Sequence, residues 1–263
     1  EKPEVRKAGG VYYTPKYIVD YIVKNTVGKL LNPPLEKGDK GGFEASDVNP
    51  PQSPFVKGGN MITPKEAAKL RILDPACGSG SFLLGAYQYL LDWHQEWYVK
   101  DDPKKWATVK NPTLYQAQGG DYRLTTSERK RILLNNIYGV DIDTQAVEVT
   151  KLSLLLKVLE GENSQTLQST FIHERALPDL GDNIKCGNSL IGTDYYQQQT
   201  MLDDEDRNRI NPFDWDKGFP EIIKAGGFDA VIGNPPYGAS FGEEEAAYFK
   251  YSGPLFSDNS LRW

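Results

Sequence analysis

The sequence predicts an α/β fold with a mostly parallel sheet flanked by helices. Three observations carry that reading. Short strand-compatible runs at Leu70–Leu73, Ile137–Val140, Asn183–Cys186 and Phe228–Ile232 alternate with segments of helical periodicity, and parallel neighbours need such crossover helices between them. Each run is followed by Asp, Asn, Gly or Pro residues of the kind that line sites, and in open parallel sheets ligands bind beyond the carboxyl ends of the strands. Finally, 263 residues, 39% of them hydrophobic and 25% charged, suffice for one large globular domain.

Taken in order, the first element is a helix up to Leu31. Ile18, Val19, Tyr21, Ile22, Val23, Val27, Leu30 and Leu31 recur at 3/4 spacing, with Thr14 as expected N-cap and Pro15 at the first helical position. Residues 32–63 are rich in Pro, Gly, Asp and Lys and lack periodicity, so they read as a long loop or insertion. Pro64–Lys69 is helix-compatible and leads into the first strand. A Gly-rich turn spans residues 74–80, and a helix is expected over Ser81–Tyr98. Residues 99–125 read as polar and irregular, and Ser127–Asn135 as helical. The second strand runs into Asp141-Ile142-Asp143. The helix Thr144–Leu159 is expected to bury Ala146, Val149, Leu152, Leu155, Leu156 and Leu159. Residues 193–217, with the acidic cluster Asp203–Asp206, are expected on the surface.

Composition narrows the function classes. Two cysteines, Cys77 and Cys186, and two histidines, His94 and His173, are too few for a disulfide framework or a zinc centre, so no metal is expected. No run approaches the roughly 18 apolar residues of a membrane span, and the start Glu1-Lys2-Pro3-Glu4 has no apolar signal core. A cytoplasmic protein without a membrane partner is expected. The net charge of −6 argues against a broad electrostatic hold on nucleic acid by the chain as a whole.

Three strand ends carry the chemistry. Asp74-Pro75-Ala76-Cys77-Gly78-Ser79-Gly80 has glycines where a backbone must turn tightly or approach a ligand. It lacks the Gly-Lys-Ser/Thr of a phosphate loop. Asp74 suits a cationic or amine-bearing ligand; a tight turn with no ligand is the alternative. Asp141 can accept both hydroxyls of a ribose, or Asp141 and Asp143 are ordinary acids before a helix, favoured by its dipole. In Asn234-Pro235-Pro236-Tyr237 the two prolines stiffen the backbone. The Asn234 carboxamide and the Pro235 carbonyl then present two fixed acceptors beside a stacking ring, a set suited to an amino group on an aromatic base.

Taken together, D-P-A-C-G-S-G-S-F and F-D-A-V-I-G-N-P-P-Y-G resemble the N6-adenine DNA methyltransferases of bacterial restriction–modification and phage-defence systems, over residues 9–259. The resemblance implies a Rossmann-like S-adenosylmethionine-dependent methyltransferase fold. It places Tyr13, Thr14 and Pro15 against the methionine part of S-adenosylmethionine, with Asp74, Pro75, Ala76, Gly78 and Gly80 as the floor of that site. Asp141 would hold the ribose, Ile142 would lie against the cofactor adenine, and Asn188 would meet its amino group. Asn234, Pro235, Pro236 and Tyr237 match the catalytic positions. Cys77 is expected to be a small packed residue, not a nucleophile.

The same resemblance divides the chain into a cofactor-contacting helix at 1–31, an insertion at 32–63 and a catalytic domain at 64–263. The chain ends at Trp263, soon after Tyr237, so that domain is expected to be truncated and without its target-recognition domain. Such a chain is expected to bind cofactor without methylating duplex DNA alone. The implied partners are double-stranded DNA, through a missing or separate recognition domain, and a restriction endonuclease or defence-complex subunit. Two rival readings are a protein glutamine methyltransferase, which also uses Asn-Pro-Pro-Tyr, and a non-catalytic cofactor-binding subunit.

Overall fold

A computed structural model describes residues 14–32, 62–117, 119–161, 177–197, 210–235 and 248. In chain order its elements are α1 (Lys16–Asn25), α2 (Val27–Leu31), α3 (Pro64–Ala67), β1 (Ile72–Asp74), α4 (Ser81–Asp101), α5 (Pro103–Thr108), β2 (Leu114–Gln116), β3 (Tyr122–Leu124) and α6 (Thr126–Asn136). There follow β4 (Ile137–Asp141), α7 (Thr144–Leu159), β5 (Ile184–Cys186), a 3-10 turn (Thr193–Gln197), α8 (Trp215–Gly218), α9 (Pro220–Lys224) and β6 (Ala230–Val231).

Four strands form a sheet of order β5-β4-β1-β6 in which every pairing is parallel. The chain steps from β1 outward through β4 to β5, then crosses back to place β6 on the other side of β1. The order therefore reverses at β1, where the crevice of an open α/β sheet lies. Asp74 pairs in register with Gly139, so Asp141 reaches two residues farther along the same edge. The alternation read from the sequence thus gives the predicted α/β, mostly parallel architecture.

The larger core cluster joins one face of the sheet to the helices. Ile72 and Ile137 from the sheet pack with Leu83, Leu90 and Leu154 from α4 and α7. Val19, Val23, Val27 and Leu31 of α1 and α2 join the same cluster, so the N-terminal helices are fixed against α4. A short aromatic cluster, with Tyr138, Phe213 and Phe219 at its centre, covers the other face of β1 and β4.

Several expectations are corrected. Helix α1 begins at Lys16, with Pro15 as its N-cap and no side-chain cap bond; Thr14 is turned elsewhere. The expected single helix breaks at Thr26, whose N–H and hydroxyl both donate to the Ile22 carbonyl, at 3.0 and 2.8 Å. Helix α3 is a single turn held by a capping box between Thr63 and Glu66. Residues 99–125 are not irregular. Asp102 caps α5 with Pro103 at its first turn, and β2 pairs antiparallel with β3; strands of three residues are too short to show alternation.

Helix α7 buries Val147, Thr150, Leu154 and Val158, whereas Val149, Leu152 and Leu156 are exposed. Apolar residues surround this helix, so periodicity does not choose its face. Within the polar stretch 193–217, Tyr195, Ile210 and Phe213 are buried. The acidic cluster at 203–206 and most of the loop predicted at 32–63 lie outside the described residues. Among the described residues no helix is long and apolar enough to cross a membrane.

Candidate active site

Because all four strands are parallel, the ends of β1, β4, β5 and β6 share one edge, and the residues singled out in the sequence gather there. Asp74 closes β1, Asp141 closes β4, Asn188 follows β5 by two residues and Asn234 follows β6 by three.

The glycine turn is held from two sides. The Gly78 N–H donates to Asp141 Oδ2 at 2.7 Å, and the Gly78 carbonyl accepts from Thr150 Oγ1 at 2.7 Å. Gly80 sits at φ 82°, the left-handed region that favours glycine, as N-cap of α4. A Cβ there would come 2.9 Å from Thr150. Gly78, also left-handed at φ 52°, has nothing within 4 Å of where a Cβ would stand, leaving open space above the turn. Thr150 was missed in the sequence because a threonine inside an apolar helix carries no local signal of its target. Its need to reach Gly78 also selects the buried face of α7.

Asp141 is half-buried, and its Oδ1 accepts from the Asp143 N–H at 2.9 Å. Each of its oxygens keeps a second lone pair. Asp143 has a different job: its side chain accepts from the Gln145 N–H and caps α7. Ile142, between them, is 47% exposed.

Asp74 is buried at 1% exposure, and its Oδ1 accepts from the Ala76 N–H at 3.1 Å. Burial pushes its carboxyl up to about 7; the Ala76 bond pulls the other way, and the neighbouring Asp141 adds to the rise. Gly233 passes so close that a Cβ would lie 2.7 Å from Asp74 Oδ1. That approach brings the turn after β6 over the end of β1. Cys77 is packed against Gly139 beneath the loop, and burial drives its thiol pKa far up, leaving no thiolate to react.

Asn234 is exposed at the edge, and its Nδ2 donates to Thr14 Oγ1 at 3.2 Å. This bond joins residues 220 positions apart and explains why Thr14 does not cap α1. It also orients the carboxamide, with the nitrogen toward Thr14 and the oxygen left to accept. Pro235 follows directly; Pro236, Tyr237 and Tyr13 lie outside the described residues. Asn188 is tied into its own turn: its Oδ1 accepts from the Leu190 N–H at 3.1 Å and its backbone N–H donates to Asn211. Pro15 is exposed, whereas Pro75 and Ala76 are partly buried beside the loop.

Comparison with known proteins fits this edge. Residues 135–259 match the Eco57I restriction-modification methylase model, a stretch that runs from β4 past Asn234. The chain is 32% identical over 231 residues to the type II restriction enzyme and methyltransferase RM.Eco57I of Escherichia coli, covering 88% of this chain and 18% of that protein. It is 27% identical over 175 residues to the adenine-specific methyltransferase PglX of Streptomyces coelicolor, covering 64% of this chain and 12% of that one. With the adenine-specific methyltransferase BrxX of Escherichia coli it shares 30% identity over 162 residues, or 59% and 11% of the two chains. The chain spans less than a fifth of the length of these relatives. By these matches residues 135–259 resemble the Eco57I restriction-modification methylase model, and the chain is similar to restriction-modification and adenine-specific methyltransferases.

Proposed function

We propose that the chain holds S-adenosylmethionine along the ends of β1 and β4 and carries the catalytic site that methylates the N6 amino group of adenine in DNA. The setting is restriction–modification or phage defence. The observation that carries this reading is the Thr14–Asn234 bond, which fixes an amide acceptor beside a glycine turn backed by two carboxylates.

The residues present fit the cofactor. Space stands open above Gly78, Asp141 has lone pairs for ribose hydroxyls, and the buried Asp74 gains by facing a cation. Ile142 offers an apolar face for the cofactor adenine. Tyr13, Thr14 and Pro15 would border the methionine end, with Pro75 and Ala76 below it, and Asn188 would approach the adenine amino group. When bound, S-adenosylmethionine supplies an activated methyl group.

The chain's own residues then prepare the acceptor. The exocyclic amine of adenine shares its lone pair with the ring and is a poor nucleophile. Asn234 Oδ1 and the Pro235 carbonyl accept its two hydrogens, localise that lone pair and stabilise the positive charge that develops on nitrogen. Tyr237 would stack on the ring, and Pro236 would stiffen the segment. What remains is in-line positioning, and the buried Cys77 takes no part. The partner is double-stranded DNA, in which the adenine must first be flipped out at a cost of a few kcal/mol. A restriction endonuclease or defence-complex subunit is the further partner this reading implies.

The test is Asn234→Ala. It should leave cofactor affinity, measured by titration calorimetry, within about twofold. Transfer of labelled methyl to adenine should fall by about 2.7–4 kcal/mol of barrier, the loss seen when one preorganised hydrogen-bonding group is deleted. Equal transfer by the variant and the parent chain rejects the assignment.

A further inference from the structure

Helix α1 starts at the proposed catalytic residue and runs away from it. Its N-terminal flank is tied to Asn234 through Thr14; Val19 lies against Gly85, and Asn32, just past α2, accepts from Trp93 Nε1 at 3.3 Å. The inner face is thus sealed on α4 by Val19 and Val23. The outer face carries Tyr17 at 73% exposure and Tyr21 at 68%, with Lys24 exposed one turn on. These three recur at i, i+4 and i+7, so they form one stripe. By helix geometry Tyr17 and Tyr21 stand about 6 Å apart along the axis, in the first two turns after Thr14.

Charge favours the same surface. The whole chain is −6, yet residues 14–32 hold Lys16, Lys24 and Lys29 against Asp20 alone. Lys16 is paired with Asp20 at 3.0 Å, which leaves the positive balance at Lys24 and Lys29. Aromatic rings interleaved with cations are the chemistry that grips a nucleic-acid strand: rings stack on unpaired bases, hydroxyls and ammonium groups meet phosphates. We infer that the outer face of α1, through Tyr17, Tyr21 and Lys24, is the rim that holds the DNA strand flanking the extruded adenine. This inference rests on the DNA-methylation reading for its choice of partner. It places the strand along a stripe of two tyrosines and Lys24 that starts beside Asn234, on a chain whose overall charge is −6.

The test is fluorescence anisotropy with a labelled adenine-containing oligonucleotide, single-stranded and as a duplex, using the full chain, Tyr17→Ser/Tyr21→Ser and Lys24→Ala. The double variant should bind the single strand at least tenfold more weakly, the scale of losing stacked aromatic contacts. Lys24→Ala should lower the slope of log affinity against log salt by about one. S-adenosylmethionine affinity and melting temperature should stay unchanged in all, which separates lost contact from lost fold. DNA binding within twofold of the parent chain in the double variant overturns the inference, as does a parent chain that binds neither oligonucleotide. The two readings fail separately. Tyrosine-dependent DNA binding without adenine methylation sinks the proposed function alone, and Asn234-dependent methylation untouched by the α1 variants sinks the rim alone.

Discussion

Thr150→Val is the substitution that most cleanly probes how the glycine turn proposed to hold the cofactor is itself held. Valine keeps the branched shape and removes one donor. In the native chain that hydroxyl donates to the Gly78 carbonyl at 2.7 Å from a fully buried position. Without it the carbonyl loses its partner beside the core, at a cost of about 1–3 kcal/mol. For a chain of this size each kcal/mol lowers the melting temperature by about 2–4 °C. The same turn is held on its other side by Asp141, so the variant should fold with the turn loosened. Each 1.4 kcal/mol of lost preorganisation is a tenfold loss of affinity, so S-adenosylmethionine should bind about tenfold more weakly. Thr150→Ser, which keeps the donor and loses a methyl, should stay within about threefold of the parent chain in affinity. Calorimetric titration and thermal melting of the three proteins settle it. A Thr150→Val protein that binds cofactor as tightly as Thr150→Ser would refute the idea that this hydrogen bond positions the turn.

Asp141→Ala should weaken cofactor binding steeply, since it removes the proposed ribose acceptor and the Gly78 latch together, each such charge-assisted bond being worth about 1.5–3 kcal/mol; Asp143→Ala should cost about 1 kcal/mol of stability as a lost helix cap and leave affinity nearly unchanged. Reversed sensitivities in titration calorimetry would move the ribose acceptor to Asp143. Asp74, with its carboxyl raised to about 7 in the folded chain, keeps a proton that the unfolded chain releases near its usual pKa of about 3.9. Stability should therefore fall as pH rises from about 4 to 7 and level off above, and Asp74→Asn should flatten that part of the melting-temperature profile; a profile identical to that of the parent chain would show that this carboxyl does not titrate as described.

Local rules make some of this site legible in sequence and leave the rest hidden. The turn at residues 74–80 is visible because its left-handed backbone at Gly78 and Gly80 demands glycine, and Asp74, Asp141 and Asn234 because polar residues after apolar runs mark strand ends. The parallel sheet follows from the alternation of those runs with helices. What is missed depends on contacts between distant residues. Nothing near Thr14 announces Asn234, and nothing in α7 announces that Thr150 must face Gly78, so the buried side of that helix is misread. The β2–β3 hairpin escapes because three residues are too few to establish a period. The break at Thr26 escapes because a hydroxyl's choice between water and the Ile22 carbonyl depends on how α1 and α2 seat against α4.

The central claim, that Asn234 presents adenine to S-adenosylmethionine, is tested most directly by methyl transfer to a substrate that needs no flipping. The chain is incubated with S-adenosylmethionine tritiated on the methyl group and a single-stranded adenine-containing oligonucleotide, and the digested nucleosides are separated. The account predicts label in N6-methyldeoxyadenosine, and its loss in Asn234→Ala at equal cofactor occupancy. Label on another atom or on protein, or none on adenine with the cofactor site saturated, would contradict it.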